Sequence, residues 1–124
     1  MPEKKKILLI EDERILAEMY EQKFIKAGFD VDLALSAEDG IEMIKKGKPD
    51  LILLDILLPE QNGVAFLQWL KDHSKNSSVP IIAFSNYDDP KTMEKAKKLG
   101  VKEYLLKANY TPGEIVEKIK SYFK

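Results

Sequence analysis

The chain has 124 residues, of which 44% are hydrophobic and 33% charged, and its formal net charge is -1. This size and composition predict a globular domain with its own hydrophobic core, and the balanced charge gives no overall attraction to nucleic acid or anionic membrane. The sequence contains no cysteine, which excludes disulfides, thiol catalysis and cysteine-ligated zinc.

The first half of the chain predicts two strand–helix pairs. The apolar run at 6–10 is typical of a strand buried on both faces. Apolar residues at helical spacing follow it up to Gly28, a suitable helix stop. Residues 30–35 alternate polar and apolar side chains, as an outer strand does. Ser36 can then cap a second helix, which ends near Gly47.

The second half predicts three more such pairs. Residues 50–55 form the most apolar of the runs, and we therefore place this strand in the centre of the sheet. The proline after an aspartate or threonine cap is a strong sign of a helix start. The other predicted elements are, in chain order, a helix over 64–72, a strand over 79–85, a helix from the Asp89-Pro90 cap to Leu99, a strand over 103–107, and a helix from the Thr111-Pro112 cap to Phe123.

Strands that alternate with helices predict a parallel sheet covered by helices on both faces, with right-handed crossovers. In such a sheet, ligands bind beyond the carboxyl ends of the strands. The residues at those ends are Glu11 and Asp12, Asp55, Ser85 and Lys107. If the first and third strands are neighbours, three carboxylates share one cleft and repel one another unless a cation such as Mg²⁺ lies among them. A hydroxyl and an ammonium beside them could hold a phosphoryl group on Asp55.

These residues resemble the receiver domain of two-component response regulators, and the resemblance covers essentially the whole chain. The matching positions are the acidic pair Glu11-Asp12, the loop DILLPEQNG with Asp55, Pro59 and Gly63, the hydroxyl residue Ser85, and the motif YLLK with Tyr104 and Lys107. The resemblance implies an α/β fold of the doubly wound, flavodoxin-like type, with five helices and a five-stranded parallel sheet of strand order 2-1-3-4-5. It also implies a single receiver domain over residues 1–124.

The resemblance assigns the central chemistry to Asp55. This residue would accept a phosphoryl group from a sensor histidine kinase or a histidine phosphotransfer protein. Asp12 would bind Mg²⁺ directly and Glu11 through a water molecule, and Asp55 and the backbone carbonyl of Leu57 would complete the protein's share of the metal site. Because the chain would catalyse only its own phosphorylation and dephosphorylation, we do not expect an enzyme in the ordinary sense.

The resemblance also implies a switch around the phosphorylated residue. Lys107 would pair with Asp55 and then with the phosphoryl oxygens, Ser85 would bind the phosphoryl group, and Tyr104 would turn inward. The surface around the fourth helix, fifth strand and fifth helix would change and meet a downstream protein. We expect a monomer or weak dimer that contacts neither nucleic acid nor membrane. No apolar run approaches membrane-spanning length, and we expect a cytoplasmic protein.

The chain departs from the family at two positions. Asn86 follows Ser85 where a small residue is usual, and we expect its side chain to hinder a phosphodonor or an attacking water. Ala108 follows Lys107 where the family has a proline, typically after a cis bond. Because a cis bond before a residue other than proline costs about 2.5–4 kcal/mol, we predict a trans Lys107–Ala108 bond. The long side chain of Lys107 should still bring its ammonium to Asp55.

Each candidate also has an ordinary structural interpretation. These interpretations are a helix cap for Glu11-Asp12, a turn residue for Ser85, a strand aromatic for Tyr104 and a solvated lysine for Lys107. Three lysines of the fourth helix, Lys91, Lys95 and Lys98, indicate a solvated face or a partner surface. These motifs, all present and in the correct order along the chain, favour the functional interpretation.

Three other functions are compatible with an α/β fold of this kind. A pseudo-receiver would bind a partner without phosphorylation, although this chain has the full set of acids, hydroxyl and lysine. A flavodoxin-like redox carrier would need a phosphate-binding loop after the first strand, where residues 11–14 read EDER and would repel FMN. A haloacid-dehalogenase-like phosphatase would need a second aspartate two residues after Asp55, where this chain has Leu57.

Overall fold

A computed structural model describes residues 4–58, 63–73, 79–86 and 88–123. Strands and helices alternate along the whole chain. In chain order they are β1 (Lys6–Ile10), α1 (Arg14–Lys26), β2 (Asp30–Ala34), α2 (Ala37–Lys46), β3 (Leu51–Asp55), α3 (Gly63–His73), β4 (Ile81–Ser85), α4 (Pro90–Lys98), β5 (Val101–Leu106) and α5 (Pro112–Lys120), with short 3₁₀ turns at Lys107–Asn109 and Ser121–Phe123.

The five strands form one parallel sheet in the order β2-β1-β3-β4-β5. This order and the five helices confirm the predicted doubly wound fold. β1 lies beside β3, with Ile10 paired to Leu54. The residues that follow β1 and end β3 are therefore brought to the same edge of the sheet, as a ligand site at the carboxyl ends requires.

Two hydrophobic clusters lie on the two faces of the sheet. All five residues of β3 are buried, which agrees with its predicted central position. Leu51 and Leu53 face the cluster that contains side chains of α1 and α5, whereas Ile52 and Leu54 face the cluster that contains side chains of α2, α3 and α4. This alternation follows from the two-residue period of a strand, and burial on both faces explains why the run is continuously apolar.

The predicted helix caps are present. The Ser36 hydroxyl accepts a hydrogen bond from the backbone N–H of Asp39 at 3.1 Å, and Asp89 caps α4 in the same manner. Thr111 and Glu114 form a reciprocal capping box at the start of α5, with distances of 3.1 and 2.8 Å. These bonds satisfy backbone donors that have no partner within the helix.

The strand ends differ slightly from the prediction. β4 begins at Ile81 because Pro80 has no N–H to donate to a neighbouring strand. β5 begins at Val101 rather than at residue 103, and its pairing with β4 has an irregularity at Ile81. Lys107 lies just beyond β5, in a 3₁₀ turn where the chain leaves the sheet.

The peptide bond between Lys107 and Ala108 is trans, as predicted, and the described segments contain no cis bond. The chain reaches the Thr111 cap through the 3₁₀ turn at Lys107–Asn109. Across the four segments that the structure describes, no helix has both the length and the apolar character needed to cross a lipid bilayer.

Candidate functional site

Three carboxylates meet at the carboxyl end of the sheet. Glu11 directly follows β1, Asp55 ends the neighbouring β3, and Asp12 is the next residue after Glu11. One carboxylate oxygen of each residue lies within 4.8 Å of those of the other two. Glu11 is 0% exposed and Asp55 6% exposed, whereas Asp12 is half-buried. The strand order thus brings Asp55 next to the acidic pair Glu11 and Asp12, which lies far from it in the sequence.

The ammonium of Lys107 lies inside this acidic cluster. Its Nζ atom is 2.5 Å from Oε1 of Glu11 and 3.1 Å from Oδ2 of Asp55. The contact with Asp55 agrees with the expectation for a trans Lys107–Ala108 bond. The shorter contact with Glu11 was not predicted. With 12% of its side chain exposed, Lys107 is held where water screens its charge only weakly.

The charges of the cluster do not cancel. Three carboxylates and one ammonium, when all are ionised, leave two negative charges uncompensated. Burial raises the pKa of Glu11, although its hydrogen bond with Lys107 opposes this effect. Burial also raises the pKa of Asp12, and neighbouring Glu11 raises it further. The site therefore favours an additional positive charge.

Lys107 is held in its charged form. Burial by itself lowers the pKa of the ammonium, but the hydrogen bond to Glu11 and the charges of Asp55 and Glu11 outweigh it, so the pKa is raised above its ordinary value. The ammonium also lies 4.7 Å from the centre of the Phe84 ring, close enough for a favourable cation–π contact. The lysine is therefore a fixed positive charge at neutral pH.

Backbone donors orient two of the carboxylates. Oδ1 of Asp55 accepts a hydrogen bond from the N–H of Leu57 at 3.0 Å, which leaves Oδ2 to Lys107. Oε2 of Glu11 accepts from the N–H of Glu13 at 3.1 Å, while Oε1 binds Lys107. Glu11 thus accepts a hydrogen bond from the backbone at the start of α1 and also connects that end of the helix to Lys107.

Gly63 fits α3 against the loop that follows Asp55. Its N–H donates to the carbonyl oxygen of Ile56 at 2.7 Å. A Cβ atom at Gly63 would lie 2.6 Å from Cα of Ile56 and 2.9 Å from the carbonyl oxygen of Asp55, closer than real Cβ atoms approach. The glycine therefore permits the backbone after the phosphorylation candidate to pack closely. Pro59 of the same loop lies outside the described residues.

The remaining candidates lie on β4 and β5 or directly after β3 and β4. Ser85 ends β4, next to β3, and is 1% exposed. Tyr104 is half-buried in β5 and packs against the cluster on the α2, α3 and α4 face. Asn86 directly follows Ser85 and is exposed, and the Leu57 residue is 50% exposed. All of these positions belong to the carboxyl-end half of the sheet.

Two aromatic residues near the site were not among the site residues predicted from the sequence. Phe84 lies under the Lys107 ammonium, and the Tyr20 ring packs against it edge-on with the ring centres 5.4 Å apart. Both side chains are buried. Their spacing in β4 and α1 indicates core positions, and core packing has the same sequence pattern whether or not a charged group lies above it.

The donor set of the cluster fits a hard divalent cation. Glu11, Asp12 and Asp55 offer carboxylate oxygens, the ligand type that Mg²⁺ prefers. The two uncompensated negative charges match the charge of such an ion. Receiver domains in general bind Mg²⁺, and the chemistry of these residues is compatible with that property.

Comparison with known sequences identifies the family of this chain. The family model of the response regulator receiver domain matches residues 7–120. The polar-differentiation response regulator DivK of Brucella ovis is 28% identical over 118 residues, which cover 95% of each chain. The probable transcriptional regulator ycf27 of Porphyridium aerugineum is 30% identical over 122 residues, which cover 98% of this chain and 49% of that protein. The chain thus spans about half the length of ycf27.

Solved structures show the same relationship. A CheY-like response regulator receiver domain protein from Methanospirillum hungatei superimposes with a TM-score of 0.88 at 26% identity, covering 97% of this chain and 94% of that chain. A putative response regulator from Chloroflexus aurantiacus gives a TM-score of 0.84 at 28% identity, covering 96% and 97%. Together with the site geometry, these matches show that the chain belongs to the response regulator receiver domains, the phosphorylation-activated signalling modules of two-component systems.

Proposed function

We propose that Asp55 is the phosphoacceptor of this receiver domain and that a divalent cation, Mg²⁺, is bound beside it. The observation that supports this proposal best is the placement of Lys107, whose ammonium contacts both Asp55 and the buried Glu11. A fixed positive charge next to a carboxylate at the sheet edge is suited to phosphoryl transfer, which depends mainly on positioning and charge neutralisation.

The proposed reaction uses the Asp55 carboxylate as nucleophile. An oxygen of Asp55 forms a bond to phosphorus while the P–N bond of a phosphohistidine donor breaks. The electron pair of that bond stays on the imidazole nitrogen. The Leu57 N–H holds one Asp55 oxygen at 3.0 Å, and Lys107 lies ready to neutralise charge on the transferred group. The donor class follows from the family, whose members interact with histidine kinases or phosphotransfer proteins.

The metal would be held by Glu11, Asp12 and Asp55, with the backbone carbonyl of Leu57 as a further predicted ligand. When bound, the ion supplies positive charge for the phosphoryl oxygens. The chain's own residues contribute the rest: Glu11 anchors Lys107, and the buried setting limits screening by water.

We further propose that Ser85 and Tyr104 report the phosphorylated state. Ser85 lies at the end of the strand next to Asp55, and Tyr104 lies on the strand beyond it. A Ser85 hydroxyl drawn toward the phosphoryl group would let Tyr104 turn inward and alter the face formed by α4, β5 and α5. That face would meet the downstream protein. Exposed Asn86 would slow access to the phosphorylated residue.

Family membership indicates a signalling protein rather than an ordinary enzyme. We propose that residues 1–124 form one receiver domain, because two clusters on a single sheet account for its hydrophobic core. A monomer or weak dimer is the state that we expect for it. The complete set of acids, hydroxyl and lysine favours the phosphorylated switch over a pseudo-receiver.

The deciding experiment is incubation with acetyl phosphate, with and without Mg²⁺, followed by mass spectrometry of the intact chain and its peptides. We expect a mass gain of one phosphoryl group that requires Mg²⁺ and maps to Asp55. Asp55→Asn should abolish the gain, because an amide is a poor nucleophile. Asp72→Asn, at an exposed position on α3, is the matched control and should label normally.

Two results would contradict the proposal. Labelling of Asp55→Asn at the native rate would show that another residue is the acceptor. A native chain that binds neither phosphate nor beryllofluoride in the presence of Mg²⁺ would favour the pseudo-receiver, which binds partners without phosphorylation.

A further inference from the structure

The ammonium of Lys107 needs a hold that the sheet itself does not supply. The last residue of β5 that pairs with β4 is Leu106, and Lys107 lies beyond it in a 3₁₀ turn. Its flexible four-carbon stem can aim the charge in many directions. The two carboxylates that bind it, Glu11 and Asp55, are also proposed ligands of the metal, so their oxygens are shared. A contact that uses neither carboxylate would keep the lysine in position when those oxygens are engaged.

Phe84 supplies such a contact. The centre of its ring lies 4.7 Å from Nζ of Lys107, and its side chain is 0% exposed. In the sheet, Phe84 is paired with Asp55 of β3 on one side and with Leu105 of β5 on the other. Residues paired across neighbouring parallel strands point to the same face of the sheet. The ring therefore lies under the ammonium and on the same face as the proposed phosphoacceptor.

Tyr20 of α1 holds the Phe84 ring in turn. The two ring centres are 5.4 Å apart and the ring planes meet at 84°, the edge-to-face arrangement that aromatic pairs prefer. Tyr20 is 3% exposed, which leaves its ring little room to move. Burial raises the pKa of Tyr20 and the charge of Lys107 opposes this effect, so the phenol lies within electrostatic reach of the ammonium. Tyr20 thus links α1, which begins just after the acidic pair, to the lysine.

We propose that Phe84 and Tyr20 are positioning residues that keep the Lys107 ammonium aimed at Asp55. The ring face of Phe84 attracts the cation through its quadrupole. It offers no lone pair, so the three N–H donors of the lysine remain available to carboxylate and phosphoryl oxygens. Tyr20 acts through Phe84 by fixing its ring. An effect on phosphoryl transfer to Asp55 rests on the proposed function, whereas the contact between ring and lysine does not.

The test changes the electrostatics of the ring and not its packing, because both aromatic side chains would also be buried if they only filled the core. Phe84 is replaced, at that position alone, by phenylalanine that carries one, two or three ring fluorines. Fluorine withdraws electrons from the ring face and leaves the shape nearly unchanged. We expect the rate of acetyl phosphate labelling of Asp55 to fall step by step, by about twofold to fivefold with three fluorines, the factor that a cation–π contact commonly contributes.

The same fluorinated residues at Phe66 are the matched control. Phe66 is also 0% exposed, but it belongs to the hydrophobic cluster on the other face of the sheet. The labelling rate should therefore be unchanged in the Phe66 series. Urea unfolding checks that the proteins of both series are fully folded under the labelling conditions.

A second readout needs neither phosphorylation nor metal. The Phe84 ring current should shift the NMR signals of the Cε protons of Lys107 upfield in the free chain. Tyr20→Leu removes the second ring without touching the lysine, and should reduce both this upfield shift and the labelling rate. Tyr20→Phe keeps the ring and should restore most of what Tyr20→Leu loses. A role in folding alone would not produce this pattern at Lys107.

Three results would overturn the proposal. They are a labelling rate that does not depend on the number of fluorines at Phe84, an equal fall in the Phe66 series, and Lys107 signals at the position of a solvent-exposed lysine. Equal losses in Tyr20→Phe and Tyr20→Leu would overturn the role of the Tyr20 ring. A native chain that takes no phosphoryl group on Asp55 would contradict the proposed function instead, and the Lys107 signals would still decide whether Phe84 holds the lysine.

Discussion

The ammonium of Lys107 lies closer to Glu11 than to Asp55, at 2.5 Å from Oε1 of Glu11 and 3.1 Å from Oδ2 of Asp55. Glu11 is fully buried and follows β1, whereas Lys107 follows β5 at the other side of the site. Loss of the Lys107 charge would leave the fully buried Glu11 without its ion-pair partner, which is strongly unfavourable. This ion pair therefore holds the lysine in place for Asp55 and joins the two sides of the cleft.

Asp12→Asn should weaken Mg²⁺ binding roughly tenfold or more, since even partners outside the ligand shell commonly contribute that much to metal affinity. The substitution removes one of three clustered carboxylates and one negative charge. Titration with Mg²⁺, followed by amide shifts near the cluster, measures the affinity. Asp72→Asn is the control for loss of a surface charge. An Asp12→Asn protein that binds Mg²⁺ as tightly as the native chain would show that the ion binds elsewhere.

Ser85→Ala should still accept a phosphoryl group but should populate the activated state less. A hydrogen bond to a charged group contributes about 1.5–3 kcal/mol, so the activated population should fall roughly tenfold or more. The measurement is the change in the amide and ring signals of Tyr104 on addition of beryllofluoride and Mg²⁺. Ser121→Ala, at an exposed position near the end of the chain, is the control. Undiminished Tyr104 changes in Ser85→Ala would mean that the coupling uses other residues.

Asn86→Ala should shorten the half-life of the phosphorylated state severalfold. Asn86 is exposed and directly follows Ser85 at the carboxyl end of β4, and a smaller side chain there gives water easier access. The measurement is loss of the phosphoryl group with time after removal of acetyl phosphate, read by mass spectrometry. The unphosphorylated variant should unfold at the same temperature as the native chain. A half-life that is unchanged or longer would reject the steric explanation.

Gly63→Ala should destabilise the chain by about 1–3 kcal/mol, the usual cost of forcing an added methyl group into a packed region. The added Cβ would lie 2.6 Å from Cα of Ile56, so the backbone beside Asp55 must shift. Urea unfolding measures the stability, and the rate of acetyl phosphate labelling reports on Asp55. Gly113→Ala is a suitable control, because a Cβ there meets nothing closer than 3.9 Å. Equal stability of Gly63→Ala and the native chain would show that the loop adapts without strain.

Tyr122→Phe should alter stability in a way that depends on pH. The Tyr122 hydroxyl donates to Oε1 of Glu103 at 2.5 Å, and its loss should cost about 0.5–1.5 kcal/mol at neutral pH. Burial raises the pKa of Tyr122, and the hydrogen bond to Glu103 raises it further. The protonated phenol therefore contributes stability below the ordinary tyrosine pKa of about 10, and this contribution is lost as the pH rises above it.

Urea unfolding of both proteins at about pH 8 and about pH 11 tests this prediction, since the two values lie on either side of the ordinary tyrosine pKa. Lys118, which lies 3.0 Å from Oε2 of Glu103, is present in both proteins, so the difference between them isolates Tyr122. The native advantage should be present at the lower pH and shrink at the higher one. An advantage that is the same at both would contradict the assigned role of the phenol proton.

Much of the architecture could be predicted because its causes are local. A continuous apolar run such as residues 51–54 indicates a central strand, and the caps at Ser36 and Thr111 rest on hydrogen bonds within three residues along the chain. Once strands alternate with helices, few topologies are open to the chain, and the reactive residues at the strand ends must share one edge. The predicted ends of the strands were less accurate. β5, for example, begins at Val101 because that residue pairs with the neighbouring strand β4.

The sequence by itself therefore determined the order of the elements and the edge at which the acids, the hydroxyl and the lysine lie. The contact of Lys107 with Asp55 was expected from the sequence, but only the tertiary structure decided the other contacts in the site. The bond from Lys107 to Glu11 joins residues 96 positions apart, and the Phe84 and Tyr20 rings beneath it have the same sequence pattern as any core aromatic. Such contacts depend on distances of a few ångströms set by packing across the sheet, and the periodicity of a sequence carries no information at that scale.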